Sequence, residues 1–186
     1  VGGGLDYLLN LTALSQYGND YQPRTFELYG IAGLGYHYSR QEGISARGLD
    51  VHIGLRGQAA LSPFTYLYIE PKLGLQSDRL SQAYTWRKYR PLATAMVGLG
   101  YRLPENRLQS AGYSYPRFID GLFVGASAGP AFLANADGKL VGDMGFRFMG
   151  SVGRWFDDYN ALRLSGNVTL VDQPGGNRVK AVGGQL

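Results

Sequence analysis

The chemistry open to this chain starts from its two histidines, His37 and His52, because it contains no cysteine. An imidazole binds metal ions or moves a proton near neutral pH. If the hairpin between them is centred in Arg40 to Arg47 with an odd register sum, the two rings face each other across neighbouring strands, with Cβ atoms about 4.5–5.5 Å apart. That separation lets them share a metal ion or a proton, yet two imidazoles alone do not close a metal site. No metal or cofactor is assigned. Ser39 lies two residues from His37 on the same face, with Asp50 near it across the strands. A serine, histidine and carboxylate set is the signature of a hydrolase, here a lipid-modifying one. The spacing is generic, and the chain is not read as an enzyme.

The other charges follow a different pattern. If Ser62 to Phe64 is a three-residue loop, Leu61 pairs with Thr65, which sets Arg56 opposite Glu70 and Gly54 opposite Lys72. With Asp50, Arg102, Asp143, Arg147 and Arg163 added, one set of faces carries both signs. Charges turned into an interior need partners or water. The set therefore reads as a plug of paired charges, with a narrow, weakly selective channel as the alternative. Arg79, Arg87, Lys88 and Arg90 form a basic loop, expected to be extracellular, interleaved with Tyr84 and Trp86. It is suited to touching lipopolysaccharide phosphates or a partner protein; the plainer reading is a solvated loop flanked by interfacial aromatics.

The elements that position these residues are strands. From Gly48 to Ser77, Leu49, Val51, Ile53, Leu55 and Leu61 alternate with Asp50, His52, Arg56 and Gln58. After the Ser62 to Phe64 turn, Leu67, Ile69, Leu73 and Leu75 alternate with Tyr66, Tyr68, Glu70 and Lys72. Period two means β structure. Each arm holds its pattern for about 11 residues or more, the length a tilted strand needs to cross a bilayer.

Composition agrees. The 186 residues are 45% hydrophobic with a mean hydropathy of −0.16, and no run of 18 apolar residues offers a transmembrane helix. Alternation hides the hydrophobicity of a membrane barrel, so a mean near zero is expected. The 14 Tyr suit interfacial girdles and the 28 Gly suit close strand packing. The net charge of +4 is scattered among carboxylates, and no nucleic-acid-binding motif accompanies it.

Further strands are predicted over Leu5 to Gln16, Thr25 to Ser39, Pro91 to Leu103, Phe118 to Leu133, Leu140 to Trp155 and Leu162 to Leu170, with the start of a ninth at Arg178 to Leu186. The segments 40–47, 78–90 and 104–116 read as connections, and Asn135-Ala136-Asp137-Gly138 and Asp157 to Asn160 as tight turns. Pro71 and Pro130 sit on outward faces, where each removes a ladder donor and marks a bulge or an exposed seam. The fold class is thus all-β: a single domain over 1–186, an antiparallel up-and-down transmembrane barrel of 8 to 10 or more strands. If the tight turns are periplasmic, an upward strand precedes Val1 and the ninth segment closes about ten strands; with the sides reversed, eight strands close by themselves.

At this point the chain resembles the β-barrel proteins of Gram-negative outer membranes. The Leu61-Ser62-Pro63-Phe64 turn, followed by Tyr68-Ile69-Glu70-Pro71-Lys72-Leu73-Gly74, looks like barrels of the Bacteroidetes. The resemblance implies a small porin, an OmpA-like structural envelope protein or an accessory subunit of a larger transport or secretion complex. It places the protein in the cell outer membrane, among outer-membrane lipids, lipopolysaccharide and other outer-membrane proteins. The chain ends on Gln185-Leu186 rather than an aromatic residue, from which more chain is expected beyond one or both ends.

Overall fold

The alternating runs become strands in the computed structural model, which describes residues 1–16, 25–41, 44–77, 89–103, 121–133, 143–172 and 178–179. They are β1 (Gly2–Asn10), β2 (Phe26–Gln41), β3 (Ile44–Ala60), β4 (Thr65–Ser77), β5 (Tyr89–Arg102), β6 (Leu122–Leu133), β7 (Asp143–Trp155), β8 (Asn160–Asp172) and β9 (Arg178–Val179). Each pairs antiparallel with the next. β1 also pairs with β8, Leu5 facing Leu164 and Asp6 facing Arg163, so eight strands close a barrel. The ninth segment does not close it: β9 pairs only with Val171 and Asp172 at the end of β8.

The outer face of the barrel is apolar, and its interior combines buried charges with apolar and aromatic side chains such as Leu8, Met96 and Phe123. Leu49, Ile53 and Leu73 are about two-thirds exposed on the outer face, whereas Arg56, Glu70 and Arg163 are buried in the lumen. Two-residue periodicity produces this arrangement, since every second side chain crosses to the other face. The turn at 62–64 is built by its serine. Ser62 Oγ accepts from the backbone N–H groups of Phe64 and Thr65, and Leu61 N donates to Thr65 O over 2.9 Å. The resulting register, Gly54 against Lys72 and Gly57 against Ile69, is the one expected from a three-residue loop.

Three expectations change. The first strand does not reach Gln16: Asn10 caps a helical turn, α1 (Leu11–Leu14), by accepting from Ala13 N at 3.0 Å. A side-chain acceptor at that position offers the backbone a helical turn in place of the ladder. The loop expected over Arg40 to Arg47 is mostly strand, with β2 reaching Gln41 and β3 starting at Ile44, paired to each other. Neither Pro71 nor Pro130 marks a bulge. The β3–β4 and β5–β6 ladders skip a few positions beside them, and the register is the same on both sides of each gap. A proline lacking its N–H interrupts a ladder locally, while the strand pairing around it holds.

Candidate functional site

Three rows of inward side chains build the lumen. In the closing row, Asp6 of β1 pairs across the backbone with Arg163 of β8, whose Nε and Nη2 donate to Asp6 Oδ2 at 3.0 and 2.5 Å. On its other side Asp6 faces Gly33, and Gly33 faces His52. A Cβ at Gly33 would collide with Asp6 Oδ1 and His52 Nε2. The missing side chain lets Asp6 reach across β2 to His52, Nε2 to Oδ1, at 2.7 Å. The other ring nitrogen, Nδ1, meets Asp50 Oδ1 at 2.8 Å. His52 is thus held between two carboxylates on the inner face, an arrangement that orients the ring and uses both nitrogens.

The second row is the Arg56–Glu70 pair of the β3–β4 hairpin, joined by Arg56 Nε to Glu70 Oε1 at 2.5 Å. Arg163 Nη1 reaches the same oxygen at 2.5 Å. Lys72 Nζ bridges Asp6 and Glu70 at 3.3 and 3.4 Å. Arg56 also stacks over the Tyr68 ring, 4.2 Å from its centroid. Burying these charges is tolerable because each carboxylate is matched by more than one cation, with hydrogen bonds between them.

The third row lies towards the rim that carries the 61–65 turn. Arg102 donates to Glu27 Oε2 at 3.1 Å and to the Tyr29 hydroxyl at 3.3 Å, and Tyr29 donates to Glu27. Outside this row a vestibule of about 330 Å³ opens among Gln58, Ser62, Tyr66 and Arg102. A cavity of about 40 Å³ lies on the opposite side of the central network, among Asp50, Lys72, Thr94 and Arg147. The two spaces are separated by buried side chains: Arg56, Arg163, Glu70, Asp6 and Tyr68 are each no more than 2% exposed.

The structure therefore joins Arg56 with Glu70 and gathers His52, Asp50, Lys72 and Arg163 into one network. Arg102 sits apart with Glu27, and Arg147 lines the small cavity, donating through Nε to Thr169 Oγ1 at 3.0 Å. The two histidines do not meet. Both face inward and the register sum is odd, but His37 pairs with Gly48 and His52 with Gly33, four positions apart along β2. His37 Nε2 meets the Gln76 amide at 2.8 Å. Of the Ser39–His37–Asp50 set, Asp50 is hydrogen-bonded to His52, while the Ser39 side chain lies outside the described residues. So do residues 79, 87 and 88 and the side chains of Arg90 and Asp143. Among the described residues no group of three or more His, Cys, Asp and Glu is arranged to hold a metal.

Two acids absent from the candidate residues of the sequence reading, Asp6 and Glu27, are central to the lumen. The signal for them was present: each occupies the polar face of an alternating strand, with Leu5 and Tyr7 beside Asp6 and Phe26 and Leu28 beside Glu27. No protein-family model matches this chain, and no curated protein or solved structure shows significant similarity to it.

Proposed function

We propose that this protein is an integral outer-membrane β-barrel whose lumen is closed by an ion-pair network, serving as a structural envelope protein rather than a porin-like channel. The observation that carries this reading is the inversion of the barrel: a continuous apolar outer wall around a core of buried, mutually paired charges. A wall of exposed leucine, isoleucine and valine on this scale is unfavourable in water and suited to acyl chains. Outward residues 49 to 59 on β3 cover about 25 Å once strand tilt is allowed for, matching the apolar band of such barrels. Phe26, Phe64 and Phe156 stand exposed near one rim and Tyr36 near the other, as interfacial aromatics do.

With eight strands, both ends of the barrel reach the same rim. In this reading that rim is periplasmic, and the immediate surroundings are outer-membrane lipids and lipopolysaccharide. The network of Arg56, Glu70, Asp6 and Arg163 argues for a plug, since a conducting lumen needs a continuous wet path past these side chains.

Reconstitution into planar bilayers tests the proposal, with the folded state confirmed by its retarded, heat-modifiable mobility on gels. Wild-type protein is expected to insert and give no steady conductance; stable channels from wild type would sink the plug reading and restore the porin one. Ile53→Lys places a charge on the outer wall and is expected to cost about 2–4 kcal/mol of folding stability in lipid if it sits near the midplane. A neutral effect in lipid would count against membrane placement. Stoichiometric copurification of other chains from native membranes in mild detergent would replace the self-contained barrel with a subunit of a larger complex.

A further inference from the structure

Among the described side chains the charges of the lumen do not balance, and the surplus sits at one residue. Leaving aside Glu27 and Arg102, which pair with each other towards the other rim, the described lumen holds four permanent cations, Arg56, Lys72, Arg147 and Arg163, against three carboxylates, Asp6, Asp50 and Glu70. Any proton on His52 adds to the excess. Arg56, Arg163 and Lys72 each lie within ion-pair distance of a carboxylate, and His52 takes Asp50 and Asp6. Arg147 has no carboxylate in ion-pair contact among the described residues. Its one side-chain hydrogen bond is from Nε to the Thr169 hydroxyl, which leaves the two terminal nitrogens of the guanidinium for another acceptor.

The inward positions next to Arg147 on its own and the two neighbouring strands supply none. Its register partners are Gly129 on β6 and Thr169 on β8. The next inward positions on the three strands are Ser127, Ala131, Gly145, Met149, Asn167 and Val171, none of them acidic. What Arg147 does face is the 40 Å³ cavity, whose wall also carries Lys72, Thr94, Ser165 and Asn167. The acid on that wall, Asp50, is hydrogen-bonded to His52 and acts on Arg147 only at longer range, and a partly buried guanidinium with no close acceptor for its terminal nitrogens is costly.

We propose that Arg147 and this cavity form a binding site for a small monovalent anion. One probe-sized sphere takes about 10–15 Å³, so the space suits a halide, nitrate or formate. Asp50 on the same wall sets the valence: it leaves a net attraction for a single negative charge and repels a dianion. The guanidinium supplies two parallel donors to an oxyanion edge or a halide. Asn167 and Thr94 add orienting donors. The site is independent of whether the barrel conducts or where it resides, because it lies to one side of the closed network.

Thermal unfolding of the folded protein in detergent micelles, at fixed ionic strength with gluconate replaced stepwise by bromide, tests the site. Wild type is expected to gain stability with a saturable dependence on bromide, as ligand linkage requires. Formate should act likewise, and sulfate at equal ionic strength should give a markedly smaller rise. Arg147→Gln, checked for folding by its gel mobility, is expected to lose the saturable part entirely, and Asn167→Ala to weaken it several-fold. Should Arg147→Gln fail to fold, anomalous diffraction from wild-type crystals soaked in bromide locates the ion directly, with a peak expected beside the Arg147 guanidinium. No saturable rise in wild type, an undiminished rise in folded Arg147→Gln, or a lumen without a bromide peak at Arg147 would each overturn the proposal.

Discussion

Glu70 shows how strongly single residues matter in a lumen this narrow. It accepts from Arg56 and from Arg163 and lies 3.4 Å from Lys72 Nζ, so Glu70→Gln leaves three cations facing one another with Asp6 as the nearest remaining carboxylate of the network. Breaking a buried charge set by removing one partner typically costs about 3–5 kcal/mol. Urea unfolding in micelles is expected to show a loss of that order. Removing Arg56 and Glu70 together should cost less than the sum of the two single changes, the mark of direct coupling. Gly33 is the steric counterpart. Because a Cβ there would collide with both Asp6 and His52, Gly33→Ala is expected to cost about 1–3 kcal/mol, the usual penalty for overpacking, measured by the same unfolding midpoint.

At the scale of elements, the turns set register. The β7–β8 turn is organised by Asp157, whose carboxylate accepts from the backbone N–H groups of Tyr159 and Asn160, both at 2.7 Å, and from the Asn160 amide. Slight burial would raise its pKa, but these hydrogen bonds outweigh it and hold the carboxyl below its ordinary value. A carboxylate depressed in the folded state contributes stability above its unfolded pKa, about 3.9, and loses it as pH falls through the lower folded value. Wild type is therefore expected to be more stable than Asp157→Ala at pH 7, with the difference shrinking as the pH is taken from about 4.5 towards 2.5. A gap that stays constant over that range would mean that the charge of Asp157 contributes nothing to the turn.

For the whole molecule, closure is the decisive event. β1 lies between β2 and β8, and Asp6 links β8 and, across β2, His52 of β3 in the lumen network. Deleting residues 1–10 removes the seam, exposes the edges of β2 and β8, and strips Arg163 of one of its two carboxylates. Open edges on an apolar sheet pair with other chains. The truncated protein is expected to aggregate on refolding and to lose the heat-modifiable band entirely; a folded, monodisperse product would show that β2 to β8 close without β1.

Much of this architecture was legible in the sequence because its determinants are local. Alternation assigns the outer and lumen-side faces of β2 to β8, and the three-residue turn at Ser62 to Phe64 places Arg56 against Glu70. A short turn leaves only one register open to its hairpin. The His37–His52 pairing failed for the same reason in reverse: the turn between them was expected anywhere within eight residues, and parity alone does not choose among registers. The contacts of Asp6 were beyond sequence reasoning. They join residues up to 157 positions apart and depend on the number of strands and their stagger, which the closed sheet decides as a whole. Local alternation determined which side chains point inward; only closure decided which of them meet.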